Sequence, residues 1–321
     1  MNDAVEQNTI VNVFENESTL KEEIIVGLSA DKKHINPKFF YDEYGSMLFE
    51  RITKEPEYYP TRTEMQLLTD NTGAIADAIG RDQLLIEPGA GSCEKVTKLL
   101  GELSPTCFIP IDISAEFLQA SCRRLMLKFP HIDIRAKAGD MLDKVSISPQ
   151  YANLRRTVFY PGSTIGNYEP ANALAFLKHV RQTVGDSGGL LIGVDLQKDE
   201  RILNEAYNDR QGVTALFNLN ILNHVNALLD TSIQVENFEH LAFYNQDKNR
   251  IEMHLESKAD QTVALADGRT FVFSKGELIQ TEYSYKYTVD SFTKLAEKAG
   301  FTAVQSWVDK NNLFSLQYLE V

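Results

Sequence analysis

The run Leu84 to Lys95, LLIEPGAGSCEK, decides the fold of this chain. An apolar strand pattern leads into Gly89 and Gly91, which let the backbone turn tightly and approach a ligand, and a helical stretch follows. Strand, glycine turn and helix in that order open a parallel sheet with crossover helices. Outward from this unit the pattern repeats. Cys107 to Asp112, CFIPID, reads as the next strand and ends on an acid about 20 residues beyond the glycine turn, where a carboxylate commonly holds a nucleoside ribose. A third strand-like run, Ile132 to Ala138, ends at Gly139-Asp140-Met141, an acid and a flexible apolar side chain suited to the amino edge and face of adenine. A fourth, from Thr157, runs into the Gly- and Asn-rich loop that contains Gly162 and Asn167; a fifth, Leu190 to Val194, follows the break at Gly188-Gly189. Ser114 is placed to cap a helix over Ala115 to Lys128, and Pro170 to open one over Ala171 to Val184. Ligands of open parallel sheets bind at the carboxyl ends of the strands. Any one of these acids could be an ordinary strand-end residue, but three successive junctions each carry a group that a nucleoside needs.

The glycine turn also selects among nucleoside cofactors. Gly89 and Gly91 fit the first two positions of the dinucleotide fingerprint G-x-G-x-x-G, while Glu94 stands where the third glycine belongs. A pyrophosphate seated on the following helix would be repelled by that carboxylate. S-adenosylmethionine carries no phosphate but a sulfonium, an ammonium and a carboxylate, so an acidic loop is tolerable and Lys95 can meet the carboxylate. The reading therefore favours S-adenosylmethionine over a nicotinamide dinucleotide.

Composition narrows the class further. The chain has 321 residues, 43% of them hydrophobic, enough for two units of ordinary size. A formal net charge of −13, without clustered Lys and Arg, argues against a nucleic-acid partner. Cys93, Cys107 and Cys122 show no CxxC spacing and suggest a reducing compartment, and the scattered histidines make no HxxxH or HExxH pair, so no metal is expected. No apolar run approaches the ~20 residues of a membrane span, and the polar start lacks a signal-peptide core. A cytoplasmic monomer acting on a small molecule, with neither membrane nor nucleic-acid partner, is expected.

Two regions flank the sheet pattern. Phe40 to Glu64, FYDEYGSMLFERITKEPEYYPTRTE, has little helix or strand regularity; Tyr41, Tyr44, Tyr58 and Tyr59 beside a Pro-Thr-Arg-Thr-Glu turn suit a binding surface for a small polar ligand, though half-buried packing tyrosines would read the same way. From Gln197 a long helical region reaches Leu229, and strands with turns at Asn245 to Asn249 and Ala266 to Arg269 run to about Tyr287, as an inserted α+β lobe would. A helix over Ser291 to Ala299 and a hairpin of Ala303 to Asp309 and Leu313 to Leu319 then close the sheet with an antiparallel last strand.

The segments FYDEYGSMLFERITKEPEYYPTRTE, EPGAGSCEK, FIPIDIS, FYPGSTIGN and QTEYSYKY, with RIEM at Arg250 to Met253, resemble the histidine Nα-methyltransferase family of ergothioneine biosynthesis over nearly the whole chain. The resemblance implies a Rossmann-like α/β methyltransferase domain, residues 62–196 and 286–321, carrying an α+β substrate lobe of residues 21–61 and 197–285, after a mobile N-terminus of residues 1–20. It implies that Gly89, Gly91, Lys95, Asp112, Asp140 and Met141 hold S-adenosylmethionine; Met141 stands where an aromatic residue is expected, while Pro88 and Cys93 are departures that the turn accommodates. It places Tyr58, Asn167 and Tyr207 around the amino acid, Glu282 and Ser284 on the imidazole and Met253 along that pocket, with Gly162 and Tyr283 counted among the substrate residues. Strand alternation puts Glu282 and Ser284 on one face and turns Tyr283 and Tyr285 to the other. Glu and Ser at alternate positions also describe any solvated strand face.

The implied reaction is trimethylation of the α-amino group of L-histidine, with Tyr41 orienting the amine or relaying its proton. The alternatives are a methyltransferase for another aromatic amino acid or amine, a nicotinamide oxidoreductase, which Glu94 disfavours, and a non-catalytic amino-acid-binding protein, which would not need Gly89, Asp112 and Asp140.

Overall fold

Four runs buried almost end to end, β2 (Leu84–Pro88), β3 (Cys107–Asp112), β6 (Arg156–Tyr160) and β7 (Gly189–Asp195), form the centre of the structure. Near-continuous burial is what strands covered on both faces require. The computed structural model describes residues 11–12, 17–139 and 145–321. The same sheet holds β1 (Val11–Asn12), β4 (Asp133–Ile134) and β5 (Lys137–Ala138); β8 (Phe238–Asn245), β9 (Arg250–Ser257) and β12 (Leu278–Tyr285) make an antiparallel sheet, and β10 (Gln261–Ala264) pairs with β11 (Thr270–Phe273). At the chain's end, β13 (Thr302–Val308) and β14 (Phe314–Glu320) return to the large sheet, whose order is β1-β5-β3-β2-β6-β7-β14-β13 with β4 also beside β3. All pairs up to β7 are parallel; β14 runs antiparallel to β7 and β13 to β14. This is the Rossmann-like sheet that the resemblance implies, with the expected terminal hairpin. Because β2 has β3 on one side and β6 on the other, the order reverses at its carboxyl end, where such sheets bind ligands.

The helices are α1 (Glu17–Ser29), α2 (Glu43–Ile52), α3 (Tyr59–Asp70), α4 (Thr72–Ile79), α5 (Thr97–Leu103), α6 (Ala115–Lys128), α7 (Pro170–Val184), α8 (Glu200–Tyr207), α9 (Val213–Leu229) and α10 (Val289–Lys298). Alternate strand residues feed two cores. Leu85, Phe108, Phe159 and Leu191 pack with α3 to α6, whereas Ile86, Ile109, Val158 and Ile192 pack with α7 and α10. A third core joins α1, α2, α8 and α9 to the inner faces of β9, β11 and β12 through residues such as Leu28, Phe40, Phe217, Ile251 and Ile279.

Several local expectations change. Phe40 to Glu64 is mostly helical: Asp42 accepts a hydrogen bond from Gly45 N at 2.7 Å to cap α2, and Pro60 lies in the first turn of α3, where its missing N–H costs nothing. The Pro-Thr-Arg-Thr-Glu stretch is therefore helix, not turn. Ile132 to Ala138 is two short strands rather than one, both held by β3, with Arg135 between them paired to Asp133 at 2.8 Å. Ser114 stands at the N-cap of α6 but its side chain makes no capping bond; its backbone N–H goes to Asp112 Oδ1 at 2.9 Å. The helical region before Leu229 breaks in two, because Asp209 takes the N–H groups of Val213 and Thr214 and starts α9 afresh. The last helix begins at Val289, set by the Thr288/Ser291 capping box.

One buried cluster ties these parts together. Asp195, at the end of β7, accepts from the Tyr59 hydroxyl at 2.7 Å and pairs with Lys198 at 2.5 Å and with Lys286, one residue beyond β12, at 2.8 Å. Both lysines are nearly inaccessible. Burial alone would push the Asp195 carboxyl up, but the Lys286 and Lys198 ammonium groups outweigh it and hold it below its usual range. Asp195→Ala strands two buried ammonium groups and is expected to lower unfolding free energy by roughly 3–5 kcal/mol. Urea unfolding checks this; a change below about 1 kcal/mol would show that the cluster contributes little.

Candidate active site

The carboxyl ends of the parallel strands meet around the glycine turn. Gly89 and Gly91 adopt φ of 69° and 51°, a region that favours glycine. The turn is latched across strands: Asp112 Oδ2 accepts from Gly91 N at 2.8 Å while Oδ1 holds Ser114 N. Burial pushes the Asp112 carboxyl up, and the N–H groups of Ser114, Gly91 and Ile113 pull it back. Two oxygens that accept only these bonds keep lone pairs for a diol. Asp140 and Met141 lie outside the described residues.

Lys95 already has a partner within the protein. Its ammonium pairs at 2.7 Å with Glu64, a fully buried residue of α3 that also accepts from Gly162 N at 2.9 Å. Sequence reasoning missed Glu64, although it ends the segment quoted for its tyrosines. It missed Glu87 too: this buried carboxyl on β2 is pushed up by burial, with Lys95 pulling back, and its Oε2 has no partner among the described residues. Three carboxylates and one ammonium around a glycine turn fit a ligand that is cationic at one end and carries a single carboxylate, as S-adenosylmethionine does, and would repel a pyrophosphate.

The second half of the site is aromatic. Tyr41 and Phe40 flank Phe217 of α9, Tyr41 meets Phe49 edge-on, Phe49 meets Tyr58, and Tyr58 meets Tyr207 at 6.5 Å between ring centroids. Such contacts contribute about 0.5–1.5 kcal/mol each beyond area burial and fix ring orientation. The belt thus brings Tyr41, Tyr58 and Tyr207, from three separate elements, to one place beside Glu282 of β12. Burial raises all three phenols, and Glu282 raises each further. Asp112 also acts on Tyr41, which links the nucleoside end to the aromatic end. Tyr41 keeps 37% of its surface exposed, yet its raised pKa makes it a neutral hydroxyl that orients by hydrogen bonding rather than a tyrosinate base.

Glu282 is 9% exposed and pairs in register with Met253 on β9, so the two side chains share a face. A bulge precedes it: Thr281 is the extra residue, and its hydroxyl donates to Asn218 Oδ1 at 2.7 Å. Burial pushes Glu282 up to about 7, against an opposing pull from Lys286. Ser284 is buried on the same face and accepts from Lys286 Nζ at 2.6 Å. Gly166 lets the 164–167 turn press onto this strand, since a Cβ there would stand 2.8 Å from Tyr285 O. The same turn, whose Gly166 lies against Ser284, carries half-buried Asn167, whose carboxamide makes no hydrogen bond to the described residues. Tyr283 is placed apart from this group, on the opposite face, with the Arg250 guanidinium 3.4 Å from its ring centroid. Tyr285 lies there too, donating to Glu169 and accepting from Arg250.

With this geometry in view, likeness to known proteins is informative. A family described as histidine-specific methyltransferase, SAM-dependent, matches residues 20–321. The chain belongs to that family. It is 38% identical over 302 residues to a histidine N-alpha-methyltransferase of Mycolicibacterium smegmatis, covering 92% of this chain and 93% of the relative. A histidine N-alpha-methyltransferase of Mycobacterium tuberculosis is 35% identical over the same shares. A 4-dimethylallyltryptophan N-methyltransferase of Claviceps purpurea is 25% identical, with 92% of each chain covered. Among the described residues of this histidine-specific methyltransferase, no cluster of His, Cys, Asp and Glu could hold a metal, and no helix is long and apolar enough to cross a membrane.

The raised Glu282 has a thermodynamic consequence. Its folded-state value of about 7 exceeds the ordinary 4.5, so the folded protein binds the extra proton between these values and loses stability as pH rises through them. Glu282→Gln removes that loss. In the ligand-free protein, the melting temperature of the variant minus that of wild type is expected to grow from pH 4.5 to about 7 and then level off. A difference independent of pH in scanning calorimetry would contradict the raised value.

Proposed function

We propose that this chain transfers three methyl groups from S-adenosylmethionine to the α-amino nitrogen of L-histidine, giving N,N,N-trimethylhistidine (hercynine), the histidine-methylating step of ergothioneine biosynthesis. The observation that carries this reading is the buried pair Glu282 and Ser284, in a member of a histidine-specific family. An imidazole presents two nitrogens, and a carboxylate with a hydroxyl satisfies both. An apolar ring in the same place would leave Glu282 buried without a partner.

In this reading residues 21–61 and 197–285 form the substrate lobe, and residues 62–196 and 286–321 the donor-binding domain. The separate hydrophobic core that α1, α2, α8 and α9 share with the antiparallel sheet supports the division. When bound, S-adenosylmethionine supplies an electrophilic methyl group on a sulfonium. Asp112 takes its ribose, Gly89 and Gly91 give the backbone approach, Lys95 and Glu64 frame its amino-acid end, and Asp140 and Met141 are assigned to its adenine. Tyr58, Asn167 and Tyr207 hold the substrate's amino and carboxylate groups, with Gly162 at the loop between the two ligands.

Placement is the main task. Alignment of the amine with the methyl group converts a bimolecular step to an effectively intramolecular one, worth up to about 7–11 kcal/mol in favourable cases. Only a neutral amine has a lone pair to attack, so the amine is deprotonated before each transfer. Tyr41 accepts from the amine N–H through its hydroxyl oxygen and passes protons toward water at its exposed edge. As methylation proceeds, the faces of Tyr41, Tyr58 and Tyr207 favour the growing cationic head.

Incubation of the protein with S-adenosylmethionine and a pool of amino acids, followed by mass spectrometry, tests the activity. Histidine is expected to gain three methyl groups, all on the α-nitrogen by NMR; methylation of the ring would show that the substrate lies the other way round. A second reading, another aromatic amino acid as substrate, is favoured by the relative named for 4-dimethylallyltryptophan. It yields a specificity prediction. Glu282→Ala with Met253→Val removes the buried carboxylate and makes room beside the ring. The ratio of kcat/KM for histidine over tryptophan is expected to fall by at least about 100-fold. An unchanged ratio would remove these two residues from the ring pocket.

A further inference from the structure

Lys286 has no place in the scheme above, yet it touches the side chain assigned to the ring. Its ammonium is 2.6 Å from Ser284 Oγ, 2.8 Å from Asp195 Oδ2 and 3.4 Å from the Tyr207 hydroxyl, so each of its three N–H groups faces an acceptor. An ammonium has no lone pair and can only donate. A hydroxyl that accepts from it must keep its own proton for another partner. The ring pocket therefore offers one hydroxyl donor and, at Glu282, one carboxylate acceptor.

The charge count agrees. Lys286 and Lys198 carry two positive charges, and Asp195 and Glu282 two negative ones, in a cluster almost closed to water. A neutral ring leaves that balance intact. An imidazolium would add an uncompensated charge and aim a second N–H at a hydroxyl that is itself a donor.

We propose that Lys286 is a positioning residue that locks Ser284 as a donor, and that the enzyme thereby binds histidine as one tautomer of the neutral imidazole, with its N–H on Glu282 and its lone pair on the hydroxyl. The proposal rests on the histidine reading. It departs from what Glu282 alone would do, since a buried carboxylate by itself favours an imidazolium.

Histidine labelled with ¹⁵N in the ring, bound to wild-type protein with S-adenosylhomocysteine at about pH 7.5, decides the matter by NMR. One protonated and one pyridine-type nitrogen are expected. Two protonated nitrogens would overturn the proposal while leaving histidine as substrate, whereas failure of histidine to bind would sink the substrate reading and the proposal with it. The two pyrrolylalanine isomers, which keep a ring N–H but have no ring lone pair, supply a second readout. Wild type is expected to prefer histidine over the better isomer by roughly 10- to 100-fold in kcat/KM, from the buried donor left unpaired. In Lys286→Met, nothing forces Ser284 to keep its proton for the ring, and that preference is expected to shrink by about tenfold, with Lys286→Arg, another pure donor, restoring it. If Lys286 only supports the fold, both substrates suffer equally and the preference stays; that result, too, overturns the proposal. Should Lys286→Met fail to fold, the wild-type spectrum alone is decisive.

Discussion

The Asp195 carboxylate, closed in with two ammonium groups and a phenol, is the constraint on which the rest of the structure depends. It stands where the last parallel strand ends, and its partners come from the start of α3, from the loop after β7 and from the residue beyond β12. One anion thus holds three stretches of chain far apart in sequence. Isolated buried charges cost several kcal/mol each. The elements carrying them are therefore bound to meet at this point and at no other register.

Consequences spread from there in two directions. Tyr59 opens α3, and α3 carries Glu64 down to Lys95 and Gly162, so the floor of the nucleoside end is positioned by the same helix that reaches Asp195. Lys286 lies just past the strand that bears Glu282 and Ser284, and its grip on Asp195 sets where that strand meets the large sheet. The aromatic belt from Phe40 to Tyr207 then closes the space between. Both halves of the site are buried and strongly charged, which is why Tyr41, Glu87, Asp112, Tyr207 and Glu282 depart from their ordinary values.

The parts of the fold legible in sequence were those with a local cause. Continuous apolar runs ending in glycine or acid marked β2, β3 and β7, and Pro170 and Gly300 marked helix ends. Where a tertiary partner decides, the reading slipped. Phe40 to Glu64 looked irregular because its tyrosines serve a belt made by other elements, although Asp42 and Pro60 are ordinary helix-start residues. The pairing of Lys95 with Glu64, about 30 residues away, cannot be read from any local spacing. Asp195 was within reach, as an acid ending a buried strand; the rule that found Asp112 applies to it equally.

By itself the sequence determined the central strands of the sheet, the glycine turn, the acid at the end of β3 and the family. These rest on hydrophobic period, backbone freedom and short motifs, all of which act within a few residues along the chain. Only the tertiary structure decided which charges are paired, that the Arg250 guanidinium stacks on Tyr283, and that Lys286 is buried against Ser284. Those outcomes depend on distances between residues remote in sequence and on how much water remains around them. Electrostatic energy is set by that separation and that solvent exposure, and neither quantity exists until the chain has folded.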